Sequence, residues 1–143
     1  MCSNHATVRG VLKEIPDDYG MVMIDLDASP EHLTRGTTRH LDHLLIVAEP
    51  YFKSLETARR FGVLARDLGI PEVSIIANKI KEGDLDAVEE FCRQHGFEIA
   101  GAVPFDSAFG DAERAGRAPI DFEKPIGALG AIERLAASLE GNV

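Results

Sequence analysis

The sequence predicts an α/β domain with a three-layer, mainly parallel sheet of about four to five strands and helices on both faces. Three observations carry this expectation. Four apolar runs recur along the chain, each too short for a helix. The runs are near-continuous blocks of Val, Ile and Leu rather than alternating ones, as in strands covered on both faces. Amphipathic helical stretches separate the second run from the third and the third from the fourth, so strand and helix alternate as parallel crossovers require. A length of 143 residues matches a single domain, 1–143, with one shared core.

The first run is MVMID at 21–25, after an opening amphipathic stretch with Val8, Val11 and Leu12. LLIVAE at 44–49, VSIIAN at 73–78 and EIAGAVP at 98–104 follow. Between the second and third, Leu55, Ala58, Phe61, Leu64, Ala65 and Leu68 recur at helical spacing, with Ser54 as the expected N-cap and Gly69 and Pro71 as the stop. Leu85, Val88, Phe91 and Cys92 mark the next helix, opened by Asp84 and closed by Gly96. The last helix, IGALGAIERLAASLE at 126–140, has Arg134 as its one basic residue. A membrane-surface helix lines its polar face with Lys and Arg, so this one reads as a packing helix.

A formal charge of −9 repels phosphate backbones and anionic lipid, which argues against nucleic acid and membranes as partners. With two cysteines and no basic flank leading into an apolar stretch at the N-terminus, the expected compartment is a reducing cytoplasm. Cys92 lies on the apolar stripe of its helix and reads as a core residue.

In a doubly wound sheet, ligands sit beyond the carboxyl ends of the strands. Here those ends deliver Asp25, Asp27, Glu49, Pro50, Asn78, Lys79, Pro104 and Asp106 to one edge. Taken singly, each is also an ordinary turn former.

The run from Asp25 to Ile70, DLDASPEHLTRGTTRHLDHLLIVAEPYFKSLETARRFGVLARDLGI, resembles the switch region and following strand and helix of CooC-type ATPases, maturation factors for nickel-containing carbon monoxide dehydrogenase. ANKI at 77–80 and VPFDSAFGDAERAGRAP at 103–119 are similar to later motifs of that group and of the wider MinD/ParA/Mrp superfamily. The likeness runs from about Cys2 to Leu139. It implies ATP or ADP with magnesium as ligands, a homodimer or self-association, and a carbon monoxide dehydrogenase client. Asp25 corresponds to the carboxylate that reaches magnesium through water. Asn78, followed by Lys79, corresponds to the asparagine that reads adenine. Pro104, Phe105 and Asp106 correspond to the loop along the purine and ribose. At CSNHATVR the family carries a Cys-x-Cys pair for nickel or zinc; here Cys2 remains, His5 could add an imidazole, and the chain is expected to begin inside the motif. His40 and His43 read as polar residues flanking a strand.

Two departures bear on activity. The sequence contains no glycine-rich loop ending in Gly-Lys-Ser/Thr, so the phosphate cradle of the family is expected to be missing. Charge-assisted hydrogen bonds contribute ~1.5–3 kcal/mol each. Losing about three of them weakens nucleotide binding ~10³- to 10⁶-fold. Ser29 stands where the switch motif usually has glycine, which would let the backbone approach the γ-phosphate.

In the family, the strand that carries the phosphate loop lies between those matching MVMID and LLIVAE. Without it, these two strands are expected either to pair directly or to leave unpaired backbone and apolar surface. The competing functions are another MinD/ParA-like ATPase, a phosphoacceptor domain with Asp25 and Lys79, and a non-catalytic interaction module. The phosphoacceptor reading lacks its pair of carboxylates, because Asp17 and Asp18 precede a strand instead of following one.

Overall fold

A computed structural model describes residues 14–16, 20–26, 41–123 and 126–140. Strands β1 (His43–Ala48), β2 (Glu72–Ile80) and β3 (Glu98–Pro104) form one sheet in the order β1-β2-β3, both pairs parallel. Helix α1 (Phe52–Asp67) connects β1 to β2, and α2 (Asp84–His95) connects β2 to β3. After β3 come α3 (Ala108–Arg114), a 3-10 turn (Pro119–Asp121) and α4 (Leu129–Glu140).

Alternation along β2 divides the core, because successive side chains of a strand point to opposite faces. Ile75 and Ala77 pack with Leu55 and Ala58 of α1 and with Val88 and Cys92 of α2. Ile76 faces the other way, toward Val103, Ala112 of α3, and Ile126 and Ala128 ahead of α4. Helices therefore cover both faces, and the three-layer parallel architecture expected from the sequence is present. Burying a side chain such as Ile75 or Val88 contributes ~1.5–3 kcal/mol, and both are fully buried.

Both crossover helices end where glycine permits a left-handed turn. Gly69 has φ +80° just past α1, and Gly96 has φ +69° at the end of α2. Gly62 serves a different need. A Cβ there would lie 2.3 Å from the Phe97 ring, so α1 approaches the start of β3 only because position 62 carries no side chain.

Three expectations change. Residues 21–25 are not a strand: the segment lies outside the sheet, with Met23 69% exposed. The sheet therefore has three strands among the described residues, not four to five, and there β1 pairs with β2 alone. A strand is held by ladder partners, and no described strand lies between 21–25 and β1 to supply them. Ser54 is not the N-cap of α1. The helix starts at Phe52, and the Ser54 hydroxyl instead accepts the Glu49 backbone N–H at 2.9 Å. Asp84 is the first helical residue, after an N-cap at Gly83, and its carboxylate accepts the Lys81 N–H at 3.0 Å. That bond satisfies the turn before the helix instead of the helix's own first N–H groups.

Candidate functional site

The carboxyl ends of the three strands lie side by side. The β1–β2 ladder ends at Ala48 opposite Ala77, and the β2–β3 ladder at Ile80 opposite Pro104, with the Phe105 N–H donating to the Ile80 carbonyl at 2.8 Å. This brings Glu49, Asn78, Lys79, Pro104, Phe105 and Asp106 to one edge. Asp25 is exposed and belongs to the segment outside the sheet, so no strand pairing places it beside them. Cys2, His5 and Ser29 lie outside the described residues.

The tip of β2 is irregular. The register with β3 shifts between Ala77 and Ile80, and within that shift Lys79 adopts φ +57°, a left-handed conformation unusual for a residue with a Cβ. The Asn78 side chain supports this turn, its Oδ1 accepting the Lys79 N–H at 3.0 Å. With that oxygen engaged, the Asn78 NH₂ is the part of the amide left to donate to a ligand. Lys79 reaches across to β1, where its Nζ donates to Glu49 Oε1 at 2.8 Å. This bond to Glu49 raises the lysine's pKa above the usual value. The Lys79 charge is thus matched by a carboxylate of the same chain.

On the β3 side, Phe105 is half exposed and carries the Lys81 ammonium 4.9 Å from its ring centre, a cation–π contact. Asp106 is turned inward. Its Oδ1 accepts the Ala108 N–H at 2.9 Å and its Oδ2 the Ala128 N–H at 3.3 Å. The Ala108 N–H, helped by those of Ala128 and Gly127, holds the carboxyl below its ordinary pKa. The resemblance places Asp106 along a purine and ribose; in the structure its oxygens accept backbone N–H groups.

Chemically, the edge offers an amide NH₂, an aromatic face and a braced loop. That set suits a planar heterocycle better than a phosphate, which needs converging N–H donors. Glu49 was legible only as a strand-end residue. Nothing in the sequence pairs it with Lys79, because the contact depends on the β1–β2 register. Among the described residues, no group of three or more His, Cys, Asp and Glu is arranged to hold a metal ion.

No protein-family model matches the chain. Among solved structures, the cell division ATPase MinD of Pyrococcus furiosus superposes on 97% of this chain and 59% of its own, with TM-score 0.75 and 17% identity. MinD of Aquifex aeolicus matches 73% of this chain and 46% of its own, with TM-score 0.61 and 26% identity. The fold is therefore that of the MinD-like P-loop ATPases. The carbon monoxide dehydrogenase accessory protein CooC of Rhodospirillum rubrum is 42% identical over 117 residues, 81% of this chain and 44% of that protein. An uncharacterized ATP-binding protein of Methanocaldococcus jannaschii is 38% identical over 104 residues, 72% of this chain and 40% of that protein. The chain is a homologue of the CooC accessory protein, and it spans less than half the length of these curated relatives.

Proposed function

We propose that this chain is the base- and partner-binding portion of a CooC-type accessory ATPase serving a nickel-containing carbon monoxide dehydrogenase in the cytoplasm. The observation that carries the reading is the 42% identity to the Rhodospirillum rubrum accessory protein. The juxtaposition of Asn78, Pro104 and Phe105 at one sheet edge supports it. In this reading the adenine of ATP or ADP lies against Phe105 and Pro104 and takes a hydrogen bond from the Asn78 amide, while Lys79 and Asp106 shape the walls. Bound magnesium would supply charge neutralisation at the phosphates, with Asp25 as its carboxylate partner through water. Nickel or zinc, the cargo, would meet Cys2 and His5 of two copies in a homodimer.

The 143 residues contain no Gly-Lys-Ser/Thr loop, so this chain alone does not turn over ATP. Multiple turnovers by purified chain, above an Asn78→Ala control, would refute that. Binding is tested by melting temperature, since a ligand that prefers the folded state stabilises according to its concentration over Kd. Millimolar MgATP is expected to raise Tm more than equimolar MgCTP, and Asn78→Ala to abolish the difference. The Lys79–Glu49 pair favours one other reading, a non-catalytic interaction module, because the Lys79 charge is already matched by a carboxylate of the same chain. Equal responses to ATP and CTP would select it.

A further inference from the structure

The tip of β2 combines three features that do not explain one another singly. Lys79 occupies a left-handed conformation, φ +57°, which a residue with a Cβ holds only when its surroundings impose it. Its N–H is committed to Asn78 Oδ1 at 3.0 Å, and its Nζ to Glu49 Oε1 at 2.8 Å. Glu49 is itself anchored: its backbone N–H donates to the Ser54 hydroxyl at 2.9 Å, and its carbonyl accepts the Tyr51 N–H at 2.8 Å. A carboxylate fixed at the mouth of α1 thus pulls a lysine across from the neighbouring strand. The lysine's backbone then turns the preceding amide.

We propose that Glu49 is the positioning residue of this edge, acting through Lys79 to set which way Asn78 presents its amide. The pair holds the left-handed turn, the turn keeps Oδ1 on the Lys79 N–H, and the NH₂ is left facing the ligand. A site arranged this way recognises an acceptor on the heterocycle, a ring nitrogen of a purine, and it does so without using the lysine's charge. This ligand class rests on the nucleotide reading above; the Glu49–Lys79–Asn78 coupling does not.

The coupling is tested without nucleotide, by ¹⁵N spectra of the full chain. Glu49→Ala is expected to shift both the Asn78 side-chain NH₂ and the Lys79 backbone N–H. Adding Lys79→Gly should return the Asn78 signals toward their original positions, because glycine holds a positive φ without support. In the unsubstituted chain, rising NaCl should move the Asn78 signals toward their Glu49→Ala positions. In Glu49→Gln, which keeps a neutral acceptor and is the variant to use if Glu49→Ala fails to fold, they should be insensitive to salt. Asn78 and Lys79 signals unmoved in Glu49→Ala, or equally salt-sensitive in Glu49→Gln, would overturn the inference.

Millimolar ATP is then added to the unsubstituted chain. No change at Asn78 overturns the nucleotide reading and the purine assignment, while the coupling stands or falls on the ligand-free spectra. Where ATP binds, Glu49→Ala should weaken it roughly three- to tenfold. An unchanged Kd with displaced Asn78 signals would overturn the role of the coupling in recognition.

Discussion

Asp106 accepts the backbone N–H of Ala128 at 3.3 Å, joining the loop after β3 to the chain ahead of α4 across 22 residues of sequence. The same carboxylate holds the Ala108 N–H at 2.9 Å. Asp106→Ala removes both bonds and is expected to lower Tm at neutral pH. Because the folded-state pKa is depressed by the Ala108, Ala128 and Gly127 N–H groups, this stability is present above the ordinary carboxylate range and is lost as pH falls through the lowered value. Melting curves of the two proteins should therefore converge in strong acid; a gap independent of pH would show that the ionised carboxylate is not what matters.

A second carboxylate titrates with the same sign on the surface of α1. Glu56 bonds to Arg59 and Arg60, which hold its pKa at about 2 instead of 4.5. Its contribution should be complete above pH 4.5 and fade as pH falls toward 2. Acid titration followed by circular dichroism should show Glu56→Gln losing less stability than the unsubstituted chain across that window. Added salt should shrink the difference.

Gly62→Ala tests how closely α1 meets the start of β3. The new methyl would fall 2.3 Å from the Phe97 ring, which is buried and has the Arg66 guanidinium 4.3 Å from its centre. The ring cannot swing away without disturbing that contact, so overpacking is expected to cost ~1–3 kcal/mol. Urea denaturation measures it. A neutral result would mean that Phe97 has a second rotamer available.

Val47, 59% exposed on β1, reports on the side of the sheet where no described strand follows. An apolar strand edge is a template for pairing with another chain, and a lysine there blocks it. Val47→Lys is expected to reduce self-association in sedimentation velocity at high protein concentration without lowering Tm. If the unsubstituted chain is a monomer at every concentration, this edge does not drive association.

The legible parts of the fold were those set by local pattern. EIAGAVP at 98–104 matches β3 residue for residue, and Gly69 and Gly96 stand at the ends of α1 and α2, because a short apolar run and a positive φ each leave a local mark in the sequence. Residues 21–25 misled because an apolar run records what a strand would bury and says nothing about whether a neighbour is there to pair with it. Ser54 and Asp84 misled for a related reason: both do accept backbone N–H groups near a helix start, but from Glu49 and Lys81, before the helix instead of within it. At the candidate site, the grouping of Asn78 with Pro104 follows from strand ends alone, and Phe105 enters through the family resemblance. The Glu49–Lys79 bond and the inward turn of Asp106 depend on register and on the placement of α4, which no local pattern encodes.

Each strand of this sheet lies beside the one made just before it, in the order β1-β2-β3. During synthesis the β1–α1–β2 unit can therefore close while β3 is still inside the ribosome, and β3 then docks on a surface already in place. Among the described strands growth is one-sided: β3 adds to the side of β2 away from β1.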